Sequence, residues 1–440
     1  MIWTRLFSFR TARRPFEQPA APLAGAAVRQ GPMIRRASEL PEGEGPEALP
    51  RFRSSASDIG RATRGERNPN QARLKLQQAF TPSQPVQDAK RFAGRKETLA
   101  AVIRAVEEQH LHTVIFGDRG MGKTSLLHVF SRLAREARYI VRYTSCSETS
   151  EFDPVFRACA ADIPLLYHSD FDPTSEAAER GGTLADLLPE PPVTPVQLGE
   201  IFARVSGTRV LIVLDEFDRA HSAEFKRSIA ELIKSLSDQS ARVQIVIAGV
   251  AANLSELLEH IPSIRRNVIG IPVTSMNEDE VRELLRIGET ASGLTFEESA
   301  RRTVIEAAQG SPYVAGLIAQ YAASSTLDRE LEEVELHDVR VAIERVMQES
   351  KVRLSPRSQF HLNLLLSMTT PAAMGPIAQE GLRTFGLVNA AAAGDGDRAA
   401  LIAHAVEARV LVPDNSHGAD NFRFADDSVA LYLWLARCAG

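Results

Sequence analysis

The stretch GDRGMGKTS, residues 117–125, constrains this chain more than any other. It fits the spacing G-x-x-x-x-G-K-[ST] through Gly117, Gly122, Lys123 and Thr124. It follows directly on the apolar run HTVIF (112–116) and opens into SLLHVFSRLA, which has the spacing of a helix. A strand, a glycine-rich turn and a helix in that order make a phosphate cradle. The glycines let backbone N–H groups close around the anion, and the helix presents its positive end to it. The cradle residues are Gly117, Asp118, Arg119, Gly120, Met121, Gly122, Lys123, Thr124 and Ser125. Lys123 is expected to reach the β- and γ-phosphates, and the Thr124 hydroxyl to ligate Mg²⁺. A chance glycine-rich turn would explain the letters but not the strand and helix in register around them. The chain is therefore expected to bind a nucleotide.

A second element, RVLIVLDEFD (209–218), supplies what the cradle lacks. Asp215 closes an apolar strand, so its carboxylate falls at the carboxyl edge of a sheet, where it can hold Mg²⁺ through water. Glu216 follows and can orient and deprotonate the attacking water. Acidic residues also end buried strands as helix caps or solvated turns, so this string alone is weak. Paired with a phosphate loop about 90 residues upstream, it gains force, because both must converge on one γ-phosphate. Asp218 is expected to cap the helix that begins near residue 222.

At 440 residues, with 44% apolar and 24% charged side chains, the chain exceeds one ordinary core and has globular composition. HTVIF (112–116), YIVRYT (139–144), VLIVL (210–214) and VQIVIAG (243–249) read as strands, several apolar on both faces as buried parallel strands are. Helical patterns lie between them; in FKRSIAELIKSL, Phe225, Ile229, Leu232, Ile233 and Leu236 share one face. Alternation of this kind implies an α/β fold built on a doubly wound parallel sheet. From about residue 275 to 349 the pattern is helical. Three cysteines (Cys146, Cys159, Cys438) match neither a disulfide framework nor a zinc pattern, which fits a reducing, cytoplasmic compartment.

Charge is unevenly distributed. Residues 1–90 hold 15 Lys/Arg against 8 Asp/Glu, whereas residues 91–440 hold 36 against 48. The first segment also contains ten of the 24 prolines, and runs such as PEGEGPEALP cannot repay the entropy of ordering. Residues 1–78 are expected to form a basic, mostly disordered tail. Seven arginines and one acid within residues 1–36 overlap in composition with mitochondrial transit peptides, but a flexible basic extension is the preferred reading. Arg13-Arg14 lacks the apolar region an export signal needs, and no apolar run approaches the ~20 residues that span a bilayer.

Taken together, FAGRKETL (92–99), GDRGMGKT, VLIVLDEFD, VIAGVAANLSELL and IPSIRRNVIGIPV resemble the AAA+ branch that includes origin-recognition-type ATPases and the STAND regulators. The resemblance covers roughly residues 80–350 and is nearest to bacterial single-chain ATPases of that group. It implies a P-loop NTPase core at 79–273 and an α-helical lid at 274–349, with ATP and Mg²⁺ as cofactors. Phe92, Ala93 and Gly94 would lie against adenine. The sensor position after strand VQIVIAG departs from the pattern, since Gly249, Val250 and Ala251 carry no polar group and Asn253 is the nearest candidate. Arg265, or its neighbour Arg266, would be the finger reaching a neighbouring subunit's γ-phosphate; a surface Arg pair favoured by a helix dipole stands level with it. Gly310-Ser311-Pro312 matches the G-x-P element of STAND proteins, with Pro312 beside the nucleotide, although an ordinary loop opening a helix has the same letters. Tyr313 stands where the origin-recognition members carry a lid arginine.

Residues 350–440 read as helices, a hairpin in VLVPDNSHGADNFRF and a final helix SVALYLWLARCA. That order suits a winged-helix-like domain, and the resemblance agrees. Residues 351–440 contain 8 basic and 8 acidic residues, so they lack the electrostatic footprint of a DNA binder. Two functional classes follow. In the first, the chain is an ATP-hydrolysing molecular switch whose nucleotide state governs self-association or the binding of a partner protein that carries the output. In the second, it is a DNA-associated ATPase anchored through the winged domain. The charge balance favours the first.

Overall fold

The computed structural model describes residues 69–439, except for 81, 83, 173 and the segments 258–265, 391–395 and 415–419. Its centre is a sheet of five parallel strands: β1 (His112–Gly117), β2 (Ile140–Ser145), β3 (Val210–Asp215), β4 (Val243–Val250) and β5 (Val268–Pro272), in the order β2-β3-β4-β1-β5. The expected strands 112–116, 139–144, 210–214 and 243–249 are four of these. The fifth, VIGIP, is not among the expected strands; it lies just before the expected helical region and pairs with β1 from His112↔Val268 to Phe116↔Pro272.

Successive side chains of a strand point to opposite faces, and because both faces of this sheet are covered, β3 is apolar from Val210 to Leu214. Leu211 and Val213 of β3 face one side, with Val246 of β4 and Ile115 of β1. Ile212 and Leu214 face the other, with Ile245 and Ile247. Helices longer than one turn are numbered here. On the first side lie α2 (Lys96–Glu107) and α3 (Lys123–Glu136), through Val102, Leu126, Leu127 and Phe130. On the second lie α4 (Phe152–Ala161), α5 (Pro195–Ala203) and α6 (Ala223–Asp238), through Phe156, Leu198, Phe202, Phe225 and Ile229. The sheet is thus doubly wound, and the ends of β1 and β3 open on the same edge.

One helix precedes this core. The sequence reading carries a disordered tail to residue 78, but Pro69–Ala79 is helix α1. An isolated helix of this length is marginal in water, so tertiary packing decides it. Leu76 and Phe80 are 1% and 2% exposed within the apolar cluster of the lid, and Arg73 pairs with Asp328. The Phe80 ring fills the space where a Cβ on Gly288 would lie, 1.9 Å from its Cζ. A low-hydrophobicity segment gains its structure from a notch in another element. Residues 1–68 of the expected tail lie outside the described residues.

The segment expected to form the lid contains α7 (Glu278–Ser292), α8 (Glu298–Ala308), α9 (Pro312–Asp328) and α10 (Leu336–Arg353), with short strands β6 (Thr295–Phe296) and β7 (Glu333–Val334). Asn277 begins α7 with a reciprocal capping box to Glu280, and Ser311 accepts from Val314 N at the start of α9, beside Pro312 at the first helical position. The last segment comprises α11 (Pro356–Met368), α12 (Pro371–Arg383), β8 (Leu387–Asn389), α13 (Gly396–Glu407), β9 (Leu411–Pro413), β10 (Asn421–Phe424) and α14 (Asp427–Ala439). Strands β9 and β10 form the expected antiparallel hairpin, and β8 adds to it in the order β8-β10-β9. The expected division between lid and C-terminal segment at 349/350 falls inside α10. One apolar cluster joins both, from Leu285 and Ile318 to Leu433 and Trp434, and the Trp434 indole donates to Ala307 O at 3.1 Å.

Candidate functional site

The turn after β1 is shaped by three glycines with positive φ, Gly117 (154°), Gly120 (80°) and Gly122 (83°). At Gly117 a side chain has no room: a Cβ would lie 2.3 Å from the backbone oxygen of Val273. The turn delivers Lys123 to the first position of α3, where it is 8% exposed. Its ammonium donates to Gly117 O at 2.9 Å and to Asp118 O at 2.8 Å, which occupies two of its three N–H groups within the loop. Burial lowers its proton affinity, while the carboxylates of Asp218, Asp118 and Asp215 oppose that change. Asp118 Oδ1 accepts from Arg119 N at 2.7 Å. Met121 is buried in the core, so only its backbone faces the loop interior. Ser125 Oγ accepts from Val86 N at 3.0 Å, which ties its hydroxyl to the incoming chain rather than to the cradle.

Across the sheet edge, Asp215 is 3% exposed. Its Oδ2 accepts the Tyr143 hydroxyl at 2.5 Å, and its Oδ1 accepts the Glu216 N–H at 2.8 Å. Burial first, and then the bond to Asp215, pushes the Tyr143 phenol well above its ordinary range, so it remains a donor. Glu216 sits in the left-handed region (φ 53°), an uncommon conformation for a residue with a side chain. Its Oε2 accepts from Ser145 Oγ at 2.8 Å and from Arg219 Nη1 at 2.9 Å. Asp218 does not cap the next helix. Ser222 does, and Asp218 Oδ1 accepts from Val250 N at 2.8 Å. A Cβ on Gly249 would approach Asp218 Oδ1 to 3.0 Å, so the end of β4 has no polar side chain because a carboxylate from the turn after β3 already lies there. Asn253 is exposed and does not line the cavity described next.

These groups share a cavity of about 1040 Å³. Gly120, Gly122, Lys123, Thr124 and Ser125 line it, together with Asp215, Glu216, Phe92, Ala93 and Pro312. Gly94 does not; its N–H donates to Glu283 Oε2 at 2.9 Å. Arg265 lies outside the described residues, and Arg266 is exposed and away from the cavity. Tyr313 lines the cavity, and its hydroxyl accepts from Arg353 Nη1 at 2.5 Å, so a lid cation lies one side chain back from the expected place.

The residues present fit a nucleotide and Mg²⁺. Three positive-φ glycines and a buried lysine form a phosphate cradle, while Thr124 and Asp215 offer one hydroxyl and one carboxylate. That donor set suits Mg²⁺, which keeps several waters and relies on substrate phosphates.

Three lining groups, Arg95, Arg219 and Asp427, and one residue behind the lining, Tyr143, escaped the sequence reading. Arg95 is 5% exposed, its Nη2 donates to Thr274 O, and burial, opposed by Glu280, lowers it to about 10. Tyr143 and Arg219 are the partners of Asp215 and Glu216. Asp427 opens α14, far beyond the last strand of the sheet, which ends at Pro272, and withdrawal from water together with Asp118 raises its proton affinity. Arg219 was adjacent to the DEFD string and Arg95 to FAG; nothing local marked Tyr143 or Asp427.

The chain is similar to several proteins of known structure. The RuvB Holliday junction branch migration motor of Thermotoga maritima is 14% identical, with 78% of this chain and 95% of that chain covered and a TM-score of 0.42. The Walker-type ATPase Paby2304 of Pyrococcus abyssi is 16% identical, with 80% and 98% covered and a TM-score of 0.45. The Aeropyrum pernix ORC1 protein, solved in complex with DNA, is 14% identical, with 82% and 95% covered and a TM-score of 0.42. No curated protein sequence matches the chain significantly. The family model for Novel STAND NTPase 1 matches residues 78–431, from the end of α1 into α14. The chain therefore belongs to the Novel STAND NTPase 1 family.

Proposed function

We propose that this protein is a Mg²⁺-dependent ATP-binding and ATP-hydrolysing switch, in which the bound nucleotide sets the position of the lid and C-terminal segment and thereby self-association or partner binding. The observation that carries the reading is the composition of one cavity. It is lined by Lys123 and Glu216 from the sheet edge, Pro312 from the lid and Asp427 from the last helix. A nucleotide held by the first pair meets the other two, so its charge is felt by elements remote in sequence.

Lys123 would bind phosphate in exchange for its loop carbonyls. Thr124 and Asp215 would hold Mg²⁺, which when bound neutralises charge on the phosphates. Glu216 would orient a water and accept its proton through Oε1, the oxygen that has no hydrogen-bond donor among the described residues. Because the last helix shares the apolar cluster of the lid, the two would respond as one block. The balanced charge of residues 351–440 gives DNA attachment no comparable support.

Glu216→Gln tests the hydrolytic part. The variant is expected to bind ATP as the parent does and to lose phosphate release by roughly 100-fold or more. Equal turnover in the two proteins removes Glu216 from the reaction.

A further inference from the structure

Arg219 lines the cavity without having been assigned any part in it. It closes a short turn, Phe217–Arg219, that is pinned on both sides. Phe217 is buried in the core beneath the sheet, and Asp218 is tied to the backbone of β4. The Arg219 N–H donates to Glu216 O at 2.9 Å. Its guanidinium is therefore presented from a fixed base, three residues after Glu216, back towards that residue's carboxylate.

The contact is asymmetric. Arg219 Nη1 at 2.9 Å and Ser145 Oγ at 2.8 Å both donate to Oε2 of Glu216. No described residue donates to Oε1. Two donors on one oxygen restrain the rotation of the carboxylate group and leave the other oxygen as the acceptor for a further donor at the cavity that Glu216 lines. The pair is about half exposed on both sides, so as a surface ion pair it contributes little to stability, about 0–1 kcal/mol. Its consequence lies in orientation.

We propose that Arg219 is a positioning residue for hydrolysis: with Ser145 it clamps Oε2 of Glu216 so that Oε1 receives the proton of the attacking water. This rests on the hydrolytic reading of Glu216 given above. The proton moves from water to Oε1, and Arg219 stays protonated and forms no bond to the substrate.

The test uses full-length protein and compares ATP turnover and nucleotide affinity in the parent, Arg219→Ala, Arg219→Lys, Glu216→Gln and the Glu216→Gln/Arg219→Ala double variant. Arg219→Ala is expected to lower kcat about tenfold, with KM and ADP affinity within about twofold of the parent. Arg219→Lys, which keeps a donor, should recover most of that loss. In the Glu216→Gln background, removal of Arg219 should have no further effect, because the group it orients is gone. Parent-like kcat in Arg219→Ala overturns the proposal, and so does a tenfold loss that persists undiminished in the double variant, which would mean direct action on the phosphates. If Glu216→Gln itself turns over like the parent, the hydrolytic reading fails and this proposal with it; the first two results leave that reading standing.

Discussion

Asp427, the first residue of the last helix, lies in the nucleotide cavity close enough to Asp118 of the phosphate loop for the two charges to interact. Asp427 is exposed on the cavity wall, yet partial withdrawal of its carboxyl from water is the larger reason that it holds its proton more tightly than usual, and the negative charge of Asp118 adds to it; Asp426 acts in the same direction and Arg423 against both. A carboxylate here opposes any further negative group. ATP brings one more such group than ADP.

Asp427→Asn is therefore expected to tighten ATP binding roughly fivefold to tenfold and to change ADP binding less, as read by titration with a fluorescent nucleotide. The sign with pH follows from the direction of the shift. A carboxyl whose proton affinity is raised in the docked state supports docking fully below the ordinary carboxylate range, and that support is lost as pH rises through the raised value. Limited proteolysis of the nucleotide-free parent should accordingly show protection of α14 that falls as pH rises from the ordinary carboxylate range. In Asp427→Asn that pH dependence should disappear.

Tyr143 and Asp215 form the second relationship with a measurable consequence. The phenol, stacked on His128 with ring centroids 4.6 Å apart, donates to the carboxylate expected to face Mg²⁺. Removing an outer hydrogen bond of this kind commonly weakens a metal site 10–100-fold. Tyr143→Phe should need about tenfold more Mg²⁺ for half-maximal turnover, with Mg²⁺-free nucleotide affinity unchanged. An identical Mg²⁺ titration curve would exclude Tyr143 from support of the site.

The notch that receives Phe80 makes a prediction about stability. Phe80→Ala empties a pocket in the middle of α7 and should cost about 3–5 kcal/mol in urea unfolding. Gly288→Ala puts a Cβ against the same ring and should destabilise by a similar route, through overpacking. If both variants unfold with the parent, α1 does not dock as described.

The phosphate-loop edge of the sheet was legible because its residues are contiguous. Gly117 to Ser125 and Asp215-Glu216 are each read from a single string, and the apolar run before each places both strings at strand ends. Four of the five strands were legible for the same reason. What escaped depends on approach between distant segments. Asp218 resembled a helix cap until the β4 backbone came within reach of it, and the missing polar residue at Gly249 was explained by that approach. Leu76 and Phe80 sit in a stretch with too few apolar residues to signal a helix, and only the lid cluster accounts for their burial. Asp427 reaches the cavity through the packing of α14 on the lid, which no local pattern encodes.

The central claim is that the nucleotide moves the lid and the C-terminal segment against the core. It is tested most directly by a distance measurement between spin labels on Glu231→Cys, exposed on α6, and Phe360→Cys, exposed on α11. Cys438 is replaced by serine for this purpose, and Cys146 and Cys159 are buried. Carried out in the Glu216→Gln background, ATP with Mg²⁺ should shift the distance distribution away from that seen with ADP, and Lys123→Ala should abolish the shift. A distribution that is the same with ATP, with ADP and without nucleotide would contradict the account.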